Sequence, residues 1–291
     1  MSELEVSIAD LESAAARIRA LVLESVAYAG AGHVGGPLSA ADMLAALYFR
    51  VLRIRPEEPL WPDRDRFILS KGHSTIALYA AMALRGFFPI EELKTFDALD
   101  SRLQGHPDMT ALPGLDMSSG SLGLGFSAGM GMALGAKTTG RDFTTFVLLG
   151  DGECNEGIVW EAAHAAHRYR LDNLVAVVDH NKLQQYGWRG DTPEVRTSPY
   201  AGDDLAARWA AFGWAVREID GHDMTAVVEA LESARTADGP VAIVAHTVKG
   251  RGVSFMEGDY LWHAKVPNPD ELAAALGELG LPGGVLEGGV R

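Results

Sequence analysis

The sequence predicts an α/β domain: a parallel sheet with helices on both faces. Short apolar runs alternate with amphipathic stretches of helical period through the second half of the chain. Those runs are mostly continuous in Val, Leu, Ile and Ala, the composition of strands covered on both sides. Glycine-rich turns separate them. With 291 residues, 47% hydrophobic and 22% charged, the chain has an ordinary globular composition, without the bias of a fibre or a disordered polymer.

The elements follow in order. Leu11, Ala14, Ala15, Ile18, Leu21 and Val22 share one helical face in a pattern that runs to about Tyr28, where Gly30 and Gly32 stop it. A second helix reads from Ser39 as N-cap through Met43, Leu44, Leu47 and Tyr48, and Pro56 and Pro59 close the region after it. Arg66 to Ser70 is a short strand-type run leading through Lys71-Gly72-His73 into an alanine-rich helix from Ser74 to about Leu84. Residues 101–125 are glycine-rich and irregular, and a helix of small residues follows from about Ser127 to Lys137. Strands are then expected at Thr144 to Leu149, Leu174 to Val178, Ala215 to Ile219 and Val241 to Thr247, with helices at Ile158 to Tyr169, Asp204 to Phe212 and Thr225 to Thr236. No internal repeat or composition shift marks a boundary, so residues 1–291 read as a single domain, with about 270–291 as a C-terminal tail.

Acidic residues number 39 and basic ones 25, a net charge of −14, which repels polyanions. No basic run offsets it, so no nucleic-acid partner is expected. No apolar stretch approaches the ~20 residues a bilayer requires, and no membrane partner is expected. Glu3, Glu5 and Asp10 precede any apolar core, so neither a secretory nor a mitochondrial presequence is read. The lone Cys154 excludes an internal disulfide and fits a reducing compartment, with the cytoplasm as the expectation.

In an open parallel sheet the ligand lies beyond the carboxyl ends of the strands. The loop Gly150-Asp151-Gly152-Glu153-Cys154-Asn155-Glu156-Gly157 stands there, between a strand and a helix. Its glycines permit close approach to an anion, the following helix start offers N–H groups, and Asp151 supplies a hard carboxylate. The next strand ends Val178-Asp179-His180-Asn181, so Asn181 emerges at the same edge. One carboxylate and one amide oxygen, completed by a diphosphate, suit magnesium.

Four of the nine histidines directly follow a glycine: His33, His73, His106 and His222. Chance placement gives roughly one, so the excess calls for a cause. His33, His73 and His106 sit in loops at element ends, where imidazole donates to phosphate or carries a proton near neutral pH. For His222 a loop histidine bonded to backbone is the preferred reading. His164 and His167, at i, i+3 spacing on a helix, can suit a metal, but no third ligand is evident and a surface or core-packing role is the preferred reading; Cys154 reads as a small buried residue.

The segments GHVGGPLSAADMLAALYF, DRFILSKGHSTIALYA, LQGHPDM, SSGSLGLGFSAGMGMALG, GDGECNEGIVWEAAHAAHRYRLDNLVAVVDHNK and HTVKGRGVSFMEGDYLWH occur in this order. Together they resemble the amino-terminal, diphosphate-binding half of transketolase, over about residues 10–268. The resemblance implies a thiamine diphosphate-binding fold. It implies that Asp151, Asn181 and the carbonyl of Leu183 hold Mg2+, or another divalent ion such as Ca2+ or Mn2+. Gly152 and His73 would contact the diphosphate, with Glu153 and Asn181 in the cofactor-binding set, while His263 lies near both the diphosphate and the reacting centre. His33 and His106 would contact substrate hydroxyls and move protons. Gly120 and Leu122 would touch the cofactor rings, and Glu156 matches the acidic residue that faces the subunit interface.

Where many family members read Gly-Pro-Leu-Gly-Gln, this chain has Gly120-Ser121-Leu122-Gly123-Leu124. The family enzyme continues into a pyrimidine-binding domain carrying the glutamate that protonates the cofactor. This chain resembles instead the first subunit of a split transketolase. The expectation is therefore a two-carbon ketol transfer from a ketose (phosphate) to an aldose (phosphate), active only with a separate C-terminal subunit in a dimer of heterodimers. Two other readings are the α-chain of a thiamine-dependent 2-oxo acid dehydrogenase and a non-catalytic scaffold remnant; deoxyxylulose-phosphate synthase is disfavoured by its different early loops.

Overall fold

The computed structural model describes residues 6–183 and 204–286. Helix α1 (Ile8–Ala29) begins at a capping box in which Ser7 and Asp10 exchange hydrogen bonds, and it ends at Gly30 in the left-handed region, φ 69°. Helix α2 (Gly35–Ala46) runs into a wide helical turn at Leu47–Val51. Its start corrects the expected N-cap at Ser39. Pro37 occupies the first turn, where its missing N–H costs nothing, and Ser39 lies inside the helix with its Oγ donating to the Gly36 carbonyl at 3.0 Å.

Strand β1 (Arg66–Leu69) leads through a 3-10 turn at Gly72–Ser74 into α3 (Thr75–Arg85). A short turn at Ile90–Thr95 and an irregular stretch precede α4 (Leu124–Thr139). Then come β2 (Thr145–Gly150), α5 (Gly157–Arg168), β3 (Leu174–His180), α6 (Leu205–Ala211), β4 (Ala215–Asp220), α7 (Met224–Ala234) and β5 (Val241–His246). Helix α8 (Pro269–Glu278), capped by Asn268 with Glu271 in a second capping box, opens the expected tail. Val285 and Leu286 then donate their N–H groups to the buried carboxylate of Glu24.

All strand pairs are parallel, in the order β1-β2-β3-β5-β4. The residues of each strand divide between two cores. Phe146, Leu148, Val175, Val177 and Ile243 pack against α1, α2, α3 and α7, whereas Val147, Leu149, Ala176, Val178 and Val244 pack against α4, α5 and α6. Both faces are thus covered, as the apolar runs require. Strand β4 departs from that rule. It lies at the edge, carries Arg217 and Glu218, and keeps none of its residues fully buried. The chain passes from β3 to the far edge and returns to β5, so the direction of winding reverses between β3 and β5. Ligands of open α/β sheets bind at the carboxyl side of such a reversal.

Candidate active site

The parallel register sets Gly150 beside Asp179, so the chain leaves β2 and β3 at the same rim. Asp151 donates its N–H to the Asp179 carbonyl at 3.3 Å. Its Oδ1 accepts the Gly152 N–H at 2.7 Å and its Oδ2 the Lys182 N–H at 2.6 Å. Lys182 adopts φ 63°, bending the chain so that Asn181 Oδ1 accepts the Leu183 N–H at 3.1 Å. The Leu183 carbonyl in turn faces Lys249 Nζ at 3.2 Å. The turns after β2 and β3 thus bring together Asp151, Asn181 and Leu183, the three residues expected to hold a metal.

These oxygens suit a hard divalent cation. Burial, and then the charge of Asp179, push the Asp151 carboxyl up to about 6, against the pull of the Lys182 and Gly152 amides and of Lys249. A cation beside such a carboxylate restores its ionised form. Among the described residues no group of three or more His, Cys, Asp or Glu is arranged to hold a metal. An ion here would therefore draw on amide, carbonyl and ligand oxygens, a set that suits magnesium.

Across the rim three imidazoles form a cluster. Ring centroids of His33 and His73 lie 5.0 Å apart, those of His33 and His263 5.0 Å, and those of His73 and His263 5.3 Å. His33 comes from the entry to α2, His73 from the turn before α3, and His263 from the turn Tyr260–His263, whose carbonyl accepts the Val34 N–H at 3.2 Å. Burial, followed by the charge of Lys71, pushes His73 down to about 2. Burial and then Lys249 push His263 down to about 3, and burial also lowers His33. All three are neutral at neutral pH, each with one donor and one acceptor nitrogen. Lys249 Nζ stands 2.9 Å from His263 Nδ1, so that nitrogen accepts and the proton sits on Nε2.

His106 is exposed, beside the equally exposed Gly120: a Cβ placed at Gly120 would lie 3.7 Å from the His106 ring. Leu122 is half-buried on the same loop. Gly152 spends its N–H on Asp151, and Glu153 is buried and turned inward. Glu153 accepts from Ser70 Oγ, from the Gly123 N–H at 2.7 Å and from the Gly150 N–H at 3.1 Å, tying three loops of the rim together. Glu156 is exposed at the start of α5, against the loop that carries Gly120 and Leu122: a Cβ placed at Gly123 would lie 3.0 Å from the Glu156 Cβ. Cys154 is buried, and burial pushes its thiol well up, as befits an inert packing residue. His164 and His167 are exposed on α5. His222 is a buried structural link: its Nε2 accepts the Val248 N–H at 2.8 Å and its Nδ1 bonds Asp42 at 2.7 Å.

Sequence reasoning passed over Lys71, Asp179 and Lys249. Asp179 is fully buried and bonded to Lys71 Nζ, Thr247 Oγ1 and, at 2.6 Å, Ser39 Oγ. Burial alone would raise its carboxyl; Lys71 and the hydroxyl donors overcome that and hold it below the usual range. Burial lowers Lys249 to about 8. A signal was available: an acidic residue closing the apolar run Val175–Val178 can be buried only with a partner.

The fold and this rim define a thiamine diphosphate-binding α/β domain. The structure is similar to that of a transketolase from Pichia stipitis, solved as a complex with sedoheptulose 7-phosphate, with TM-score 0.86 and 32% identity over 95% of this chain and 42% of that one. The chain belongs to the transketolase family: "Transketolase, thiamine diphosphate binding domain" matches residues 11–283. It is 46% identical over 280 residues to the 6-deoxy-6-sulfo-D-fructose transketolase subunit SqwG of Clostridium sp. (strain MSTE9), covering 96% of this chain and 98% of that one. It is 41% identical over 277 residues to an apulose-4-phosphate transketolase subunit of Phocaeicola vulgatus, covering 95% of each. The chain therefore spans nearly the whole of these subunits but less than half of the solved enzyme. No helix among the described residues is long and apolar enough to cross a membrane.

Proposed function

We propose that this chain is the thiamine diphosphate-binding subunit of a two-chain transketolase that moves a two-carbon ketol unit from a ketose, or its phosphate, to an aldose, or its phosphate. The observation that carries the reading is the convergence of the Asp151–Asn181–Leu183 turn with the His33–His73–His263 cluster and Lys249 at one rim. Asp151, Asn181 and the Leu183 carbonyl would hold magnesium against a diphosphate. Lys249 adds positive charge, and His73 and Gly152 line the same corner. Thiamine diphosphate, when bound, supplies the nucleophilic carbon that receives the transferred unit. His33, kept neutral by burial, can accept a proton from a sugar hydroxyl at one nitrogen and hold or donate one at the other, while His263, with Nδ1 turned to Lys249, offers its Nε2 proton to an oxygen. His106, exposed at the mouth, meets the substrate as it enters. Gly120 and Leu122 pack against the cofactor rings.

The partner requirement rests on the relatives named as transketolase subunits and matched over nearly their whole length. The rim itself supports it. Met109 is 48% exposed, Leu124 43% and Leu261 60%, each within three residues of His106, Leu122 or His263. Exposed apolar side chains this close in sequence to the residues of a polar site suit a covering protein surface. That second subunit would bring the glutamate that protonates the cofactor, with Glu156 facing the contact between halves of a dimer of heterodimers. The single buried cysteine fits a cytoplasmic setting.

The decisive assay mixes the purified chain with its second subunit, magnesium, thiamine diphosphate, a ketose donor and an aldose acceptor. Ketol transfer that requires both chains is expected. Robust transfer by this chain alone would overturn the two-chain reading, and turnover of pyruvate instead of a ketose would favour a 2-oxo acid dehydrogenase α-chain.

A further inference from the structure

The structure assigns Asp179 as a positioning residue that orients the Asn181 amide, so that its oxygen rather than its NH2 group faces the metal-binding turn. The inference rests on the reading of Asn181 as a magnesium ligand.

Asp179 ends the apolar run of β3 with a side chain that has no exposure to solvent. Its Oδ2 receives Lys71 Nζ, and Ser39 Oγ at 2.6 Å; its Oδ1 receives Thr247 Oγ1. The donors come from the turn before α3, from α2 and from the segment after β5. One carboxylate therefore ties together three of the segments that surround the rim. The Lys71 ammonium also donates to the Gly36 carbonyl at 3.2 Å, which leaves the pair well anchored.

Asn181 Nδ2 lies 3.4 Å from this Oδ2 and 3.3 Å from Ser39 Oγ. An amide can present either end to a neighbour, and its two orientations have nearly the same shape. Here the neighbour decides. An ionised carboxylate only accepts, and the Ser39 hydroxyl proton is already directed at Asp179 or Gly36, so both atoms require the NH2 end. The Oδ1 end is left toward Leu183, whose N–H it accepts at 3.1 Å, on the side of the turn where Asp151 bonds Lys182. Groups that orient a metal ligand in this way typically change metal affinity about 10–100-fold when removed.

The test is a double-mutant cycle on the full chain assembled with its second subunit. Magnesium is titrated at fixed thiamine diphosphate, and its dissociation constant is read by calorimetry. Asp179→Asn is expected to weaken magnesium about 10–100-fold in the wild-type background and less than about twofold in the Asn181→Ala background. A merely structural role would weaken both backgrounds alike, and that result, or no loss in the wild-type background, would overturn the assignment. If Asn181→Ala alone leaves magnesium affinity unchanged, the ligand reading fails and takes this inference with it. If Asn181→Ala weakens magnesium while Asp179→Asn does not, only the inference fails. Should Asp179→Asn leave Lys71 unpaired and the chain unfolded, Ser39→Ala serves instead. It removes one acceptor from Asn181 and should weaken magnesium about fivefold, again only when Asn181 is present.

Discussion

The carboxylate of Asp151 accepts the main-chain N–H of Lys182 at 2.6 Å, fastening the turn after β2 to the turn after β3. The same carboxylate is held with its pKa at about 6 by burial and by Asp179, so at neutral pH its ionised form opposes folding when no cation is present. Asp151→Asn should abolish magnesium-dependent cofactor binding by the assembled complex while stabilising the metal-free chain at pH 7 by about 1–3 kcal/mol. Calorimetry and urea denaturation check the two halves. Unchanged magnesium affinity would remove Asp151 from the ligand set.

The histidine cluster predicts a definite response to acid. His73 is held at about 2 in the folded chain, against an ordinary value of 6.5. As pH falls below about 6.5 the unfolded chain gains a proton that the folded chain refuses, so stability declines by about 1.4 kcal/mol per pH unit for this residue. His263, held at about 3, acts in the same sense. His73→Gln should reduce the stability lost between pH 7.5 and pH 5 by about 2 kcal/mol relative to wild type. Equal losses in the two proteins would contradict the neutral, buried state assigned to His73.

Arg19, Asp42 and His222 form a buried chain that ends on the Val248 amide, next to Lys249. Arg19 Nη1 donates to Asp42 Oδ1 at 3.1 Å, and His222 bridges Asp42 and Val248. Asp42→Ala leaves the Arg19 guanidinium buried and unpaired and should cost about 3–5 kcal/mol. His222→Ala strands one amide and should cost about 1–3 kcal/mol. Urea midpoints measure both, and a cost below that of a typical surface substitution would show that water replaces the network.

Gly123 adopts φ 82°, and a Cβ there would lie 2.6 Å from Ile158 Cγ2. Gly123→Ala should cost at least about 1–3 kcal/mol and loosen the loop that carries Gly120 and Leu122, weakening the cofactor with it. Gly131, inside α4 with open space beside it, is the contrast. Gly131→Ala should stabilise the isolated chain by about 0.5–1 kcal/mol, since only the entropy of glycine is removed. Thermal melts of the two variants moving in the same direction would refute the argument.

Much of the architecture was legible because its signals are local. The apolar runs of β2, β3 and β5 are short, rich in Val, Leu, Ile and Ala, and bounded by glycine or polar residues, and each strand forms within two residues of its expected place. Helix α2 was the exception. Its start depends on Gly35, Gly36 and Pro37 being packed into the centre of the molecule, and the serine that resembles an N-cap serves Asp179 instead. The exposed edge position of β4 also escaped, because Ala215, Val216 and Ile219 read as a buried strand until the order of the sheet is known.

The sequence by itself determined the alternation of strands and helices, the loops that would carry chemistry, and the pairing of Asp151 with Asn181 at one rim. Each follows from neighbours along the chain or from the rule that parallel strands end together. Only the tertiary structure decided that β5 lies between β3 and β4, that three neutral imidazoles from residues 33, 73 and 263 cluster at the rim, and that Lys71, Ser39 and Thr247 meet on Asp179. Ser39 and Asp179 are separated by 140 residues and joined at 2.6 Å. No local preference encodes such a contact. It follows from the burial of a charged group that must find its donors wherever the packing of α2 against the sheet brings them.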